Sequence, residues 1–232
     1  MRQIVVGYGE IGRAVGALIG PHEVLDEGYK APGRRKRTDI MHICFPYSHE
    51  FLGYVAHYMK QYRPKHLIIY STTPIGTVRQ IPGAVHSPVE GKHPNLVQSL
   101  WLMTRWLGIN DVSEAKYFAD FFREIGLQIK LVPNSDHTEA LKLLSTTEYG
   151  LNIEYTRYKQ YVSNELNMDF SLTKEWNQEY NLLYKKLGLD HYYQKYVLDA
   201  PEGPKGGHCV TPNARLLQER FPSKLTEEVA EL

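Results

Sequence analysis

A chain of 232 residues is long enough for one large domain or two small ones. Its 27 lysines and arginines stand against 26 aspartates and glutamates, and the resulting charge of +1 argues against a broad nucleic-acid or membrane-surface footprint. Two cysteines, Cys44 and Cys209, are too few for a disulfide framework and point to a reducing, cytoplasmic setting, and no apolar run approaches the roughly 18 residues that cross a bilayer.

The first residues run straight into a strand pattern, Gln3-Ile4-Val5-Val6, with no charged-then-apolar leader. Gly7-Tyr8-Gly9-Glu10-Ile11-Gly12 follows and opens the helical run Arg13-Ala14-Val15-Gly16-Ala17-Leu18-Ile19. This is G-x-G-x-x-G between a β-branched strand and a helix, the context that makes the motif informative. Gly7 suits a tight turn, Gly9 a close approach of backbone to pyrophosphate, and Gly12 close packing of helix on strand. The helix start supplies N–H groups and a positive dipole end for phosphate. A second apolar run, His22-Glu23-Val24-Leu25, ends at Asp26, about twenty residues beyond Gly7, where a carboxylate is expected on the ribose hydroxyls of an adenine dinucleotide.

Glu27 to Gly33 is turn-rich, and Arg34-Arg35-Lys36-Arg37 is basic. Two readings stand: a solvated loop, or arginines that meet a 2′-phosphate and favour NADP over the NAD that Asp26 suggests. The pattern then predicts a buried strand over Ile40–Phe45 ending at Pro46, a helix from about His49 to Tyr62, and a strand over Lys65–Tyr70. Ser71-Thr72-Thr73-Pro74-Ile75-Gly76-Thr77 falls at the carboxyl end of that strand, the edge where open α/β sheets bind ligands. Pro46 and Thr73 join the glycine turn and Asp26 in the expected cofactor-binding set. Ala84-Val85-His86 is a short strand leading into Ser87-Pro88-Val89-Glu90-Gly91-Lys92-His93. A helix near Val112–Ile125 and a strand over Gln128–Val132 complete an alternating pattern. The expected fold is α/β, a Rossmann-type doubly wound parallel sheet over residues 1–133, followed by a mainly helical domain over 134–232. That domain is expected to comprise helices of roughly His137–Asn164 and Ser171–Leu187, with a shorter one before Pro201.

Gly206-Gly207-His208-Cys209 is the second informative segment. Two glycines allow backbone to approach a ligand, and a cysteine opening a helix would have a lowered pKa. The alternative is an ordinary loop with Cys209 as a small buried hydrophobe. Thr138, Lys142, Ser145, Thr146 and Tyr149 recur at helical spacing and form a polar stripe, facing either the cofactor crevice or solvent. His86 and His93 flank a crevice-edge loop, as general acid or base or as loop hydrogen-bonders. No ligand spacing supports a metal.

Four of these pieces resemble the UDP-glucose/GDP-mannose dehydrogenase family, within the wider 6-phosphogluconate-dehydrogenase-like superfamily. Gly206-Gly207-His208-Cys209 is similar to its G-G-x-C motif and Ser71–Thr77 to its S-T-V-P-x-G-T loop. His86-Ser87-Pro88 is similar to its N-P-E region, and Thr138-Glu139-Ala140-Leu141-Lys142 to its A-E-x-x-K helix; all four come in the family's order. The resemblance implies an NAD-linked oxidation with Cys209 as nucleophile, Lys142 as oxyanion-stabilising and proton-transfer residue, and Thr72 as a water or substrate contact. His86, Ser87, Glu90, Thr146, His208 and Asn213 become expected substrate contacts, and the helices an expected homodimer interface. The chain departs from the family at Val89, Thr146 and Asn213, where the family carries glutamate, asparagine and aspartate, and it reads as a short, divergent member lacking the third domain.

The leading expectation is therefore a nicotinamide-dependent oxidoreductase acting on a small polar or sugar-derived alcohol or aldehyde. Val89 and Asn213 favour the alternative of a dinucleotide-binding module without redox activity, since an amide is no base at neutral pH. An S-adenosylmethionine transferase shares the glycine-rich turn but not the Gly-Gly-His-Cys segment.

Overall fold

The computed structural model of the chain describes residues 1–26, 37–91, 94–192, 194–201 and 207–231, without the side chains of Gly207 and His208. The basic loop of Arg34-Arg35-Lys36, His93 and Gly206 lie outside the described residues. The chain divides into two compact units, Met1–Lys142 and Leu143–Leu232.

The first unit is a Rossmann-type doubly wound sheet. Its strands are β1 (Gln3–Val6), β2 (Glu23–Leu25), β3 (Ile40–Ile43), β4 (His66–Ile69), β5 (Ala84–His86), β6 (Arg105–Ile109) and β7 (Ile129–Pro133), in the spatial order β2-β1-β3-β4-β5-β6-β7. Every neighbouring pair is parallel except β5 with β6, where Val85 opposes Ile109 and His86 opposes Gly108. The central strands are apolar on both faces because both faces are covered. Val5, Ile40, Ile68 and Val85 pack with Val15 and Leu18 of α1 (Glu10–Ile19), Leu100 of α3 (Leu96–Leu102), and Phe118 and Phe122 of α4 (Val112–Glu124). Ile4, Val6, Met41, Ile43 and Ile69 point the other way, onto Phe51 and Val55 of α2 (Phe51–Tyr62). One polar thread crosses this core. Tyr70 O–H donates to His42 Nδ1 (3.2 Å), His42 Nε2–H donates to Gln3 Oε1 (3.2 Å), and Gln3 Nε2–H donates to the Ile19 carbonyl (3.2 Å). Each group is satisfied only with a neutral imidazole, and burial holds the His42 pKa down at about 3.

Two elements of this unit lie outside the sequence expectation, α3 and β6. β6 opens on a buried arginine and contains Gly108, both unfavourable signs for a strand. Gly108 is required here, because a Cβ would lie 2.2 Å from Thr138 Oγ1.

Helix α5 (Ser135–Glu165) starts just after β7, and the division between the units falls within it. The second unit contains the remainder of α5 with α6 (Ser171–Lys186), α7 (Gly207–Arg220) and α8 (Lys224–Ala230). Its small core joins Val210 and Ala214 of α7 to Val229 and Ala230 of α8, with Leu151 of α5 packed against them. Gly150 permits that approach, since a Cβ would lie 2.4 Å from Val229 Cγ1. The short helix expected before Pro201 does not form: Asp190–Pro201 is irregular, apart from the undescribed residue 193. Asn181 takes the place of helical partners, donating to the Lys195 carbonyl and accepting from the Lys195 N–H, both at 2.8 Å, while Asn177 Nδ2 donates to the Tyr196 carbonyl.

Candidate functional site

The turn between β1 and α1 is built as its glycines require. Gly7 has φ +84°, and its N–H donates to the Leu25 carbonyl at 2.8 Å, tying the turn to the end of β2 beside Asp26. A side chain on Gly7 would press on the Phe45 backbone nitrogen at 2.7 Å, and one on Gly12 would lie 2.0 Å from the Gly7 carbonyl oxygen. Gly9 differs: an added Cβ meets nothing within 4 Å. Gly9 is also the N-cap of α1 and makes no side-chain capping bond, so the helix presents its first N–H groups beside open space. Tyr8 folds back to His22 (hydroxyl to Nε2, 3.1 Å), Ile11 is half-buried and Glu10 is exposed. The chain passes from β1 to β2 on one side and to β3 on the other, so this turn lies at the topological switch point, opposite Phe45 and the exposed Pro46. A helix start with an uncrowded Cα at Gly9 and a carboxylate at the end of β2 fit a dinucleotide pyrophosphate and ribose.

Along the same carboxyl edge, β4 ends at Ile69 and the chain continues through Tyr70 into Thr72, half-buried, and Thr73, fully buried. Thr73 Oγ1–H donates to Glu139 Oε1 of α5 at 2.9 Å. Glu139 also accepts from the N–H groups of Gly76 (2.6 Å) and Val78 (2.9 Å). β5 ends in His86, fully buried between the Ser71 carbonyl (Nε2, 3.3 Å) and Thr138 Oγ1 (Nδ1, 2.8 Å). Burial holds its pKa down at about 4, with the bond to the Ser71 carbonyl opposing the shift and Lys142 adding to it.

Lys142 and Arg105 bind adjacent carbonyls beyond β5. Lys142 Nζ donates to the Val89 carbonyl at 2.8 Å, and Arg105 Nη2 donates to that of Pro88. β6 is antiparallel to β5, so its first residue reaches the ligand-binding edge that the parallel strands reach with their last. Arg105 is 2% exposed; among the described residues its Nε and Nη1 have no hydrogen-bond partner, and neither has the buried Ser87 Oγ. Val89 itself is buried in the core on the α1 face, and Glu90 is half-buried near Arg105. Neither Arg105 nor Glu139 is singled out by sequence reasoning. Glu139 sits inside the A-E-x-x-K segment, which marks its position but not its partners.

The remaining expected residues belong to the second unit. Cys209 is an exposed residue in the first turn of α7, and the side chain of His208 lies outside the description. Asn213, one turn further on, donates from Nδ2 to Thr146 Oγ1 of α5 at 3.2 Å, so two positions where the chain departs from the resembled family bond to each other. Among the described residues no cluster of three or more histidine, cysteine or acidic side chains could hold a metal, and no helix is long and apolar enough to cross a membrane.

No protein-family model and no curated protein matches the sequence. Solved structures do match over the whole chain, and they are UDP-sugar and GDP-mannose dehydrogenases and related enzymes. UDP-D-ManNAc dehydrogenase from Pyrococcus horikoshii matches with a TM-score of 0.77 at 15% identity, covering 100% of this chain and 68% of that one. UDP-glucose dehydrogenase from Pyrobaculum islandicum gives 0.70 at 14%, covering 99% and 67%. The 3-hydroxyisobutyrate dehydrogenase from Mycobacterium tuberculosis gives 0.69 at 13%, covering 99% and 91%. The chain thus has the fold of these Rossmann-type dehydrogenases, spanning about two thirds of the sugar-nucleotide enzymes.

Proposed function

We propose that the chain binds a nicotinamide dinucleotide along the carboxyl edge of its sheet and acts as an oxidoreductase on a small polar or sugar-derived alcohol or aldehyde. The observation that carries this reading is the glycine turn. Gly7 and Gly12 are closed by backbone contacts, whereas Gly9 opens on space at the start of α1, with Asp26 at the end of β2. The dehydrogenase fold of the structural neighbours supports it. Asp26 favours NAD, with NADP the alternative. A bound cofactor supplies hydride transfer; the chain's own part is to hold the phosphates at α1, the ribose at Asp26 and the nicotinamide half near Thr72. Cys209 is the candidate nucleophile toward an aldehyde carbon on the strength of the Gly-Gly-His-Cys resemblance, and Lys142 the candidate electrostatic residue. Titration with NADH and NADPH, followed by tryptophan fluorescence and thermal shift, tests binding. Hydride transfer to NAD from a panel of polar alcohols tests the chemistry. Failure of both cofactors to bind at millimolar concentration would sink the proposal.

Val89 and Asn213 favour a second reading, a dinucleotide-binding module without redox chemistry. Val89 is core where the resemblance expects a carboxylate, and Asn213 is an amide tied to Thr146. Tight NADH binding with no hydride transfer, and no effect of Cys209→Ala, would select it. Under either reading we propose a homodimer formed through the helical unit.

A further inference from the structure

We infer that Glu139 is a positioning residue for the nicotinamide end of the cofactor, acting through the Thr73–Val78 loop. The inference rests on the dinucleotide reading above. Glu139 lies in the second turn of α5 and is fully buried. Its Oε1 accepts from Thr73 Oγ1–H and the Val78 N–H, and its Oε2 from the Gly76 N–H. All three described partners are donors, which calls for the carboxylate and not the acid. Burial pushes its pKa upward, as does neighbouring Asp136, and the three donors work against that shift. The loop so held is irregular. Gly76 has φ +94°, and the 3-10 turn at Val78–Gln80 begins on one of the bonded N–H groups. Arg79, just beyond, pairs with Asp136 of the same helix at 3.0 Å. A charge taken out of water to bind one loop from behind makes that loop's shape depend on a single carboxylate.

The loop's place on the sheet says which part of a ligand it meets. Asp26 on β2 marks the ribose of the adenosine half and Gly9 the pyrophosphate. The other half of a dinucleotide must then extend away from β2, past β3 and toward the end of β4, where Thr72 and Thr73 begin the loop. Glu139 touches the loop from the protein side, so its effect on a ligand is indirect and confined to one end.

The test compares NADH with ADP-ribose, which keeps the adenosine, pyrophosphate and ribose and lacks the nicotinamide, on the full chain. Glu139→Gln retains size but turns an NH2 toward a donor; Glu139→Asp keeps the charge and withdraws it by one methylene. The expected result for Glu139→Gln is NADH affinity reduced about tenfold or more, ADP-ribose affinity within about twofold of wild type, and faster amide exchange at Gly76 and Val78. Glu139→Asp should recover part of the NADH affinity. Thr73→Val removes only the hydroxyl donor and should give a smaller loss of the same kind, which keeps the question open to measurement if Glu139→Gln fails to fold. Unchanged NADH affinity, or equal losses for both ligands, would overturn the positioning role. Wild-type protein that binds neither ligand would instead overturn the cofactor reading on which the role depends.

Discussion

Gly9 and Gly12 are equivalent letters in a motif and opposite cases in the structure. A methyl group at position 12 would lie 2.0 Å from the Gly7 carbonyl oxygen, so the helix must move off the strand. Gly12→Ala should cost about 2–3 kcal/mol or more in urea unfolding, whether or not a ligand is present. At Gly9, φ is −70° and a methyl group meets no protein atom within 4 Å. Gly9→Ala should therefore cost no more than about 1 kcal/mol, the loss expected from alanine at an N-cap. NADH affinity should nevertheless fall, because the methyl occupies the approach to α1. A Gly9→Ala protein that binds NADH like wild type would remove the pyrophosphate from this turn. The motif identified the glycines, and their local spacing was enough for that. Glu139 and Arg105 escaped because their roles are set by partners remote in sequence: Thr73 lies 66 residues from Glu139, and Pro88 lies 17 from Arg105 across a strand reversal. Sequence spacing indicates that residues share a helix face, as Thr138 and Lys142 do, but not what lies against that face.

At the scale of elements, the parallel strands β1 to β5 and the covering helices α1, α2 and α4 were legible because apolar runs, helical periodicity and turn residues agree there, whereas the short α3 was not. β6 was not, since a buried charge and a glycine conceal a strand whose direction is fixed only by its neighbour. The irregular stretch around Lys195 was misread as helix because Asn181 supplies its backbone bonds from another element. Burial in the parallel strands has a measurable pH consequence. His42 on β3 and His86 on β5 are held neutral, with pKa values of about 3 and about 4 against 6.5 for the exposed side chain. As pH falls below 6.5 the unfolded chain takes up these protons and the folded unit does not, so stability declines until the folded values are reached. From pH 7.5 to 5.5 the two histidines together should remove about 2–3 kcal/mol. Urea midpoints read from the fluorescence of Trp101 and Trp106, in Trp176→Phe protein, measure this in the first unit. A midpoint that is flat or rises toward acid would show that the imidazoles are protonated in the fold.

For the whole molecule, the helical unit carries many exposed large apolar side chains beside a small core cluster. Its core cluster joins four small or branched side chains to one leucine, Leu143, Ile153 and Leu217 are buried as well, and α6 buries none of its residues. Trp176 is 71% exposed, and Leu172, Leu182 and Leu183 share its helix. Tyr155, Tyr158 and Tyr161 continue the exposure along α5 at intervals of three. Contiguous apolar surface on two adjacent helices marks an interface more often than a solvated face. A second copy of the chain is the occupant that needs no other gene product, because a two-fold axis pairs each helix surface with itself. Sedimentation velocity at micromolar concentration should therefore show a dimer. Trp176→Glu with Leu183→Glu should shift it toward monomer, with helical circular dichroism retained because both side chains are exposed. The two outcomes separate cleanly. A wild-type monomer would end the dimer proposal, and a dimer indifferent to both charges would place the contact on some other surface of the chain.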